Sequence, residues 1–151
     1  MESNSPVSAR PARHLAVLTC MDCRFDPLDP LDLNLGDAHV IRNAGGRASD
    51  DALRSLIISS HLLGTTQYYV IHHTECGMLG LDNDELRQHL ADETGADASS
   101  LDLLGYDDLE ASVRDDMARI EENPFVPTSV TVRGFIYDVL TGTLSDVPLE
   151  K

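Results

Sequence analysis

Gln67-Tyr68-Tyr69-Val70-Ile71-His72-His73-Thr74-Glu75-Cys76-Gly77 is the stretch from which the fold can be read. Its first six residues are mostly β-branched or aromatic, the composition of a strand. The side chains able to bind a metal come at and just beyond the point where that pattern stops. An apolar strand that delivers chemistry at its carboxyl end is the habit of an open α/β sheet. The same arrangement occurs earlier in the chain. His14-Leu15-Ala16-Val17-Leu18-Thr19 is a short apolar run, followed at once by Cys20-Met21-Asp22-Cys23-Arg24.

Working outward, residues 38–42 form a second short strand and residues 43–46 a turn. Residues 25–37 carry Pro27, Pro30 and Gly36 and read as a loop with at most one helical turn. Ser49 caps a helix on which Leu53, Leu56, Ile57, Ser60 and Leu63 recur at helical spacing, and Gly64 ends it. Asp82 opens a second helix, with Glu85 at capping-box spacing and Gly95 closing it. Residues 96–105 read as a loop. Asp107 caps a third helix, with Glu110 three residues on, Val113, Met117 and Ile120 on its buried face, and Pro124 beyond its end. Residues 129–138 read as a strand, turned by Thr141-Gly142 into a hairpin partner over 143–147. This order predicts an α/β fold with a mostly parallel central β-sheet flanked by helices. Residues 1–13, polar and holding Pro6 and Pro11, read as a flexible N-terminal arm, which leaves 14–151 as a single α/β domain.

Composition narrows the function. Hydrophobic residues make up 42% of the 151, enough for a packed core. Acids outnumber bases 26 to 11, for a formal net charge of −15, and the one Lys is residue 151. Such a chain repels a phosphate backbone, so nucleic-acid binding is disfavoured. No apolar run approaches the roughly 20 residues of a membrane span. The first 13 residues show no apolar signal region. The odd count of three Cys offers no disulfide framework. Together these predict a cytoplasmic protein without a membrane partner.

Two strand ends can bring Cys20, His73 and Cys76 around one metal. Two thiolates and an imidazole suit Zn²⁺, and three protein ligands leave a fourth position open, the catalytic pattern. Asp22, two residues from a ligand, can either take that fourth position or accept a hydrogen bond from a water there. Arg24 beside it can hold the carboxylate in a bidentate pair. Other readings stand beside this one. Cys20 and Cys23 form a C-x-x-C, which suits a redox pair or a closed zinc site with Cys23 as fourth ligand. Strand alternation sends residues 20 and 22 to one side and 23 to the other, which makes Cys23 a small buried filler. His72 is either a group behind the ligands or a buried structural residue. Arg42 and Arg47 are expected to pair with local acids such as Asp50 or Asp51. The acid-rich run 107–122 reads as a solvated helix face, and Glu75 as a solvated or inter-subunit charge.

Cys-x-Asp-x-Arg, followed about fifty residues later by His-x-x-Cys-Gly, resembles the β-class carbonic anhydrases. Gly36-Asp37-Ala38 and Arg42-Asn43-Ala44-Gly45 fit the same pattern. His72-His73-Thr74-Glu75-Cys76-Gly77-Met78, Asn123-Pro124-Phe125 and Arg133-Gly134-Phe135 are similar to the small bacterial members. The resemblance implies one Zn²⁺ per chain on Cys20, His73 and Cys76. It also implies that Asp22 orients a zinc-bound hydroxide, held in place by Arg24, and that the hydroxide attacks CO₂ to give bicarbonate. A homodimer or homotetramer is implied as well. Carbonyl sulfide hydrolases share this ligand set, so release of H₂S from carbonyl sulfide is the alternative activity. A non-catalytic, zinc-stabilised module is the third reading.

Overall fold

Leu15–Cys20 forms strand β1, and all six of its residues are buried in the computed structural model of the chain, which describes residues 8–148. An unbroken apolar strand belongs in the middle of a parallel sheet, covered on both faces. β1 is central. It pairs in parallel with β2, Ala38–Asn43, on one side and with β3, Gln67–His73, on the other. β4, Thr131–Asp138, continues the parallel set beyond β3, and β5, Thr143–Val147, closes the sheet antiparallel to β4. The strand order is therefore β2-β1-β3-β4-β5. The mostly parallel α/β sheet expected from the sequence is present.

Strand alternation sorts the core into two faces. Ala16 and Leu18 of β1, with Tyr68 and Val70 of β3, meet the helices α1, Asp50–Leu63, and α3, Leu109–Glu121, through Leu53, Leu56, Val113, Met117 and Ile120. Leu15, Val17, Ile71 and Phe135 point the other way, where Leu31 and Leu33 of the 25–37 loop pack against them. The two long helix contacts thus lie on one face. The third helix, α2, Asn83–Thr94, buries none of its residues.

Helix ends follow the expected chemistry with one shift. Ser49 accepts the Ala52 amide at the start of α1, and Gly64 closes that helix with φ of 80°. Asp82 accepts the Glu85 amide at the start of α2, which Gly95 ends. The cap of α3 is Asp108, whose Oδ1 accepts the Ala111 amide at 2.8 Å, and not Asp107. Two adjacent aspartates offer equal caps, and the choice falls to packing. β4 begins at Thr131 because Val130 is tied back to the Pro127 carbonyl in a turn.

Residues 1–7 of the expected arm lie outside the described residues. Before β1, the Ala12 and Arg13 amides donate to the carbonyls of Gly36 and Asp37. Among the described residues, Cys20, Cys23 and Cys76 are free thiols, and no helix is long and apolar enough to cross a membrane.

Candidate active site

The chain runs from β1 to β2 on one side, then crosses to β3 on the other. The carboxyl ends of β1 and β3 therefore flank a topological switch point, where an open sheet forms a crevice. Cys20 is the last residue of β1 and His73 the last of β3; Cys76 follows in the next turn. One ligand atom from each of these three buried side chains lies within 4.8 Å of the others. The two Sγ atoms are 4.0 Å apart. Sulfurs bound tetrahedrally at about 2.3 Å from one zinc would stand roughly 3.8 Å apart. His73 Nδ1 donates to the Thr74 carbonyl at 2.7 Å, which leaves Nε2 with its lone pair. That Nε2 is buried and has no hydrogen-bond partner among the described residues.

Backbone detail builds the cradle. Asn43 closes the 44–46 turn on itself, donating to the Arg47 carbonyl and accepting the Arg47 amide. The turn presses on β1: a Cβ on Gly46 would sit 2.9 Å from the Cys20 nitrogen, at a φ of +67°. Only glycine fits there. Gly45 next to it donates its amide to Cys20 Sγ at 3.3 Å, and Met78 donates its amide to Cys76 Sγ at 3.4 Å.

The site concentrates charge on sulfur. The hydrogen bond with Cys20 pulls the Cys76 thiol down to about 3 against the cost of burial, and His73 helps. The same contact, together with burial, pushes the Cys20 thiol up. Burial works to lower His73, but the Cys76 sulfur and the Thr74 carbonyl outweigh it and raise the imidazole. A thiolate, a second thiol and an unpartnered imidazole nitrogen, all buried and converging, fit a bound dication.

Asp22 sits beside them. Its Oδ1 accepts the Arg24 amide at 2.8 Å and Nε at 2.9 Å, and its Oδ2 accepts Arg24 Nη2 at 2.6 Å. This grip holds the Asp22 carboxyl well below the usual carboxylate range. Oδ2 is 3.6 Å from His73 Nε2. Arg24 is itself anchored, donating from Nη2 to the Glu75 carbonyl at 2.8 Å. Glu75 turns that carbonyl inward by adopting φ of +56°, an uncommon conformation for a residue with a side chain.

The carbonic anhydrase family model matches residues 15–144. Beta-carbonic anhydrase 1 of Mycobacterium tuberculosis is 44% identical over 142 residues, covering 94% of this chain and 86% of the relative. The chain belongs to the β-carbonic anhydrase family. Carbon disulfide hydrolase of Acidithiobacillus thiooxidans is also similar, at 35% identity over 87% of this chain and 76% of its own. Among solved structures, carbonic anhydrase from Streptococcus mutans superposes with a TM-score of 0.88 at 43% identity, covering 92% of this chain and 84% of that one.

Within this β-carbonic anhydrase frame several sequence expectations need correction. Cys23 is exposed and is not a buried filler. Strand alternation stops at Cys20, so it does not govern a residue in the following turn. Nor does Cys23 join the cluster of Cys20, His73 and Cys76. Arg42 bonds no local acid; it donates to the carbonyls of Cys20, Asp22 and Phe25 and staples the loop after β1. Arg47 pairs with Asp116, at 2.9 Å, rather than with Asp50 or Asp51. Asp116 is therefore buried, although it belongs to the run read as a solvated face. His72 is fully buried behind the site: its Nε2 faces Asp116 Oδ2 at 3.0 Å and the Gly46 carbonyl at 3.1 Å, and its Nδ1 meets Ser112 Oγ at 2.7 Å. Both Nε2 partners are acceptors, so that nitrogen carries the proton.

This network ties α3 to the Gly46 turn, and Arg47 and Asp116 are both nearly solvent-free. Asp116→Ala leaves a buried guanidinium unpaired and is expected to cost about 3–5 kcal/mol of folding stability. Urea unfolding of the two proteins measures it. A cost below about 1 kcal/mol would place the pair with solvated surface bridges.

Proposed function

We propose that this protein catalyses the reversible hydration of CO₂ to bicarbonate, with one Zn²⁺ held by Cys20, His73 and Cys76. The observation that carries the reading is the buried three-donor pocket with an ionised, arginine-locked carboxylate at its edge. Bound there, zinc supplies the Lewis acidity that lets water act as a nucleophile near neutral pH. The chain's residues do the rest. Asp22, fixed as a carboxylate, offers Oδ2 only as an acceptor, so it selects and orients an O–H donor beside His73. Arg24 holds Asp22 in that orientation and off the fourth position. Phe25, 5.6 Å from the His73 ring and stacked on Tyr137 at 4.6 Å, supplies an apolar wall suited to a small uncharged substrate.

Assembly as a homodimer or homotetramer and a cytoplasmic location belong to the same reading. β2 ends the sheet with an unpaired edge and an exposed Val40, and Asn43 at its carboxyl end pairs with Cys20. The alternative to this reading, hydrolysis of carbonyl sulfide or carbon disulfide with release of H₂S in place of CO₂ hydration, is favoured by the 35% identical carbon disulfide hydrolase. Removal of zinc by a chelator is expected to abolish CO₂ hydration, and zinc to restore it. A rate unchanged in metal-free protein contradicts the proposal.

A further inference from the structure

Tyr106 is brought to the metal pocket by a long detour. About thirty residues after Cys76, including all of α2, its backbone returns to lie parallel to the segment that leaves the pocket. The Tyr106 amide donates to the Met78 carbonyl at 3.2 Å, and its carbonyl accepts the Gly80 amide at 2.6 Å. The approach is so close that a Cβ on Gly105 would sit 2.6 Å from the Leu81 carbonyl oxygen. The ring is clamped from two directions. The Arg47 guanidinium lies 5.2 Å from its centroid, and the His72 ring stacks against it at 5.7 Å and 23°. Arg47 and His72 are themselves fixed by the buried Asp116. Leu104, just upstream, takes φ of +59°, and its carbonyl receives Arg47 Nη1 at 2.8 Å.

All this construction leaves one polar atom unaccounted for. The Tyr106 hydroxyl is buried and has no hydrogen-bond partner among the described residues. The residue packs in one cluster with Cys20 and Cys76. A buried phenol left unpaired costs on the order of 1–3 kcal/mol, so an acceptor is expected at its tip. The acceptors packed with the residue in that cluster are the two sulfurs, and Cys76 lies on the segment alongside which Tyr106 runs.

We propose that Tyr106 is a positioning residue whose hydroxyl donates to Cys76 Sγ and sets the charge that this sulfur presents to the metal. The inference rests on the metal site proposed above. Cys20 receives the Gly45 amide and Cys76 the Met78 amide; Tyr106 adds a donor to Cys76 and makes the two sulfurs unequal. Groups behind a metal ligand commonly alter metal affinity roughly 10–100-fold.

Cobalt-loaded full-length protein reports the sulfur directly through its thiolate-to-metal charge-transfer band. Tyr106→Phe keeps the ring and its clamp but removes the donor. The band is expected to move to longer wavelength while the tetrahedral visible bands persist, and zinc affinity to fall by roughly tenfold or more. Site-specific 3,5-difluorotyrosine at position 106 makes the hydroxyl a stronger donor and should move the band the other way. It also decides the matter if the Phe variant does not fold. A charge-transfer band unmoved by either change overturns the inference and leaves the metal site standing. No such band in the unaltered protein overturns the metal site, and this inference with it.

Discussion

Cys76→Ser is expected to lose both the metal and the activity. The substitution replaces the sulfur whose thiol is held down to about 3 with a hydroxyl that does not ionise near neutral pH. It leaves one thiol and one imidazole, too few to hold a dication against water. Zinc content should drop from about one per chain to near zero. CO₂ hydration should fall by more than roughly 10³-fold, since the metal's contribution to such a reaction is several kcal/mol of barrier. The fold should survive. The sheet and both packed helices are built from residues such as Leu18, Tyr68, Val70 and Met117, away from position 76. Zinc analysis and circular dichroism on the same sample separate the two effects. Full activity in this variant would remove Cys76 from the site.

Asp22→Asn is expected to keep zinc and lose rate. Asp22 is not among the three converging donors, so metal content should stay near one per chain. The carboxylate, however, accepts from the Arg24 amide, Nε and Nη2 across both oxygens. An amide has one acceptor oxygen, and its NH₂ either faces the Arg24 donors or points a donor into the pocket. Either way the acceptor beside His73 is lost or turned. Loss of one preorganised group of this kind lowers kcat by roughly 10²–10³-fold. The expected signature is a reduced kcat with zinc retained. Loss of zinc together with rate would make Asp22 a structural residue of the pocket.

The parts of the molecule legible in the sequence are those written locally. β1 and β3 announce themselves by short apolar runs, and the three converging donors Cys20, His73 and Cys76 lie at or just past their ends. Ser49, Gly64, Asp82 and Gly95 mark helix ends because the caps use neighbouring atoms. What was not legible depends on distance in the chain. Arg47 and Asp116 are 69 positions apart, and nothing near Arg47 names its partner. A signal existed: Asp116 falls at helical spacing with Val113, Met117 and Ile120, an acid on the buried stripe. An acid there asks for a buried cation. Cys23 departs from its expected burial for the opposite reason: β1 ends at Cys20, and the strand period does not extend to residue 23. Tyr106 falls between the loop read over 96–105 and the cap read at Asp107, where no sequence pattern singles it out, and the bridge to Leu79 brings it to the sulfur site.

The most direct test of the central claim sets two substrates against one preparation. Zinc-loaded protein is assayed for CO₂ hydration by stopped flow, and for H₂S release from carbonyl sulfide and carbon disulfide under the same conditions. The account predicts brisk CO₂ hydration, lost on chelation, with H₂S at background. Rapid H₂S release with feeble CO₂ hydration would contradict it, moving the activity to sulfur substrates while leaving Cys20, His73 and Cys76 where they are.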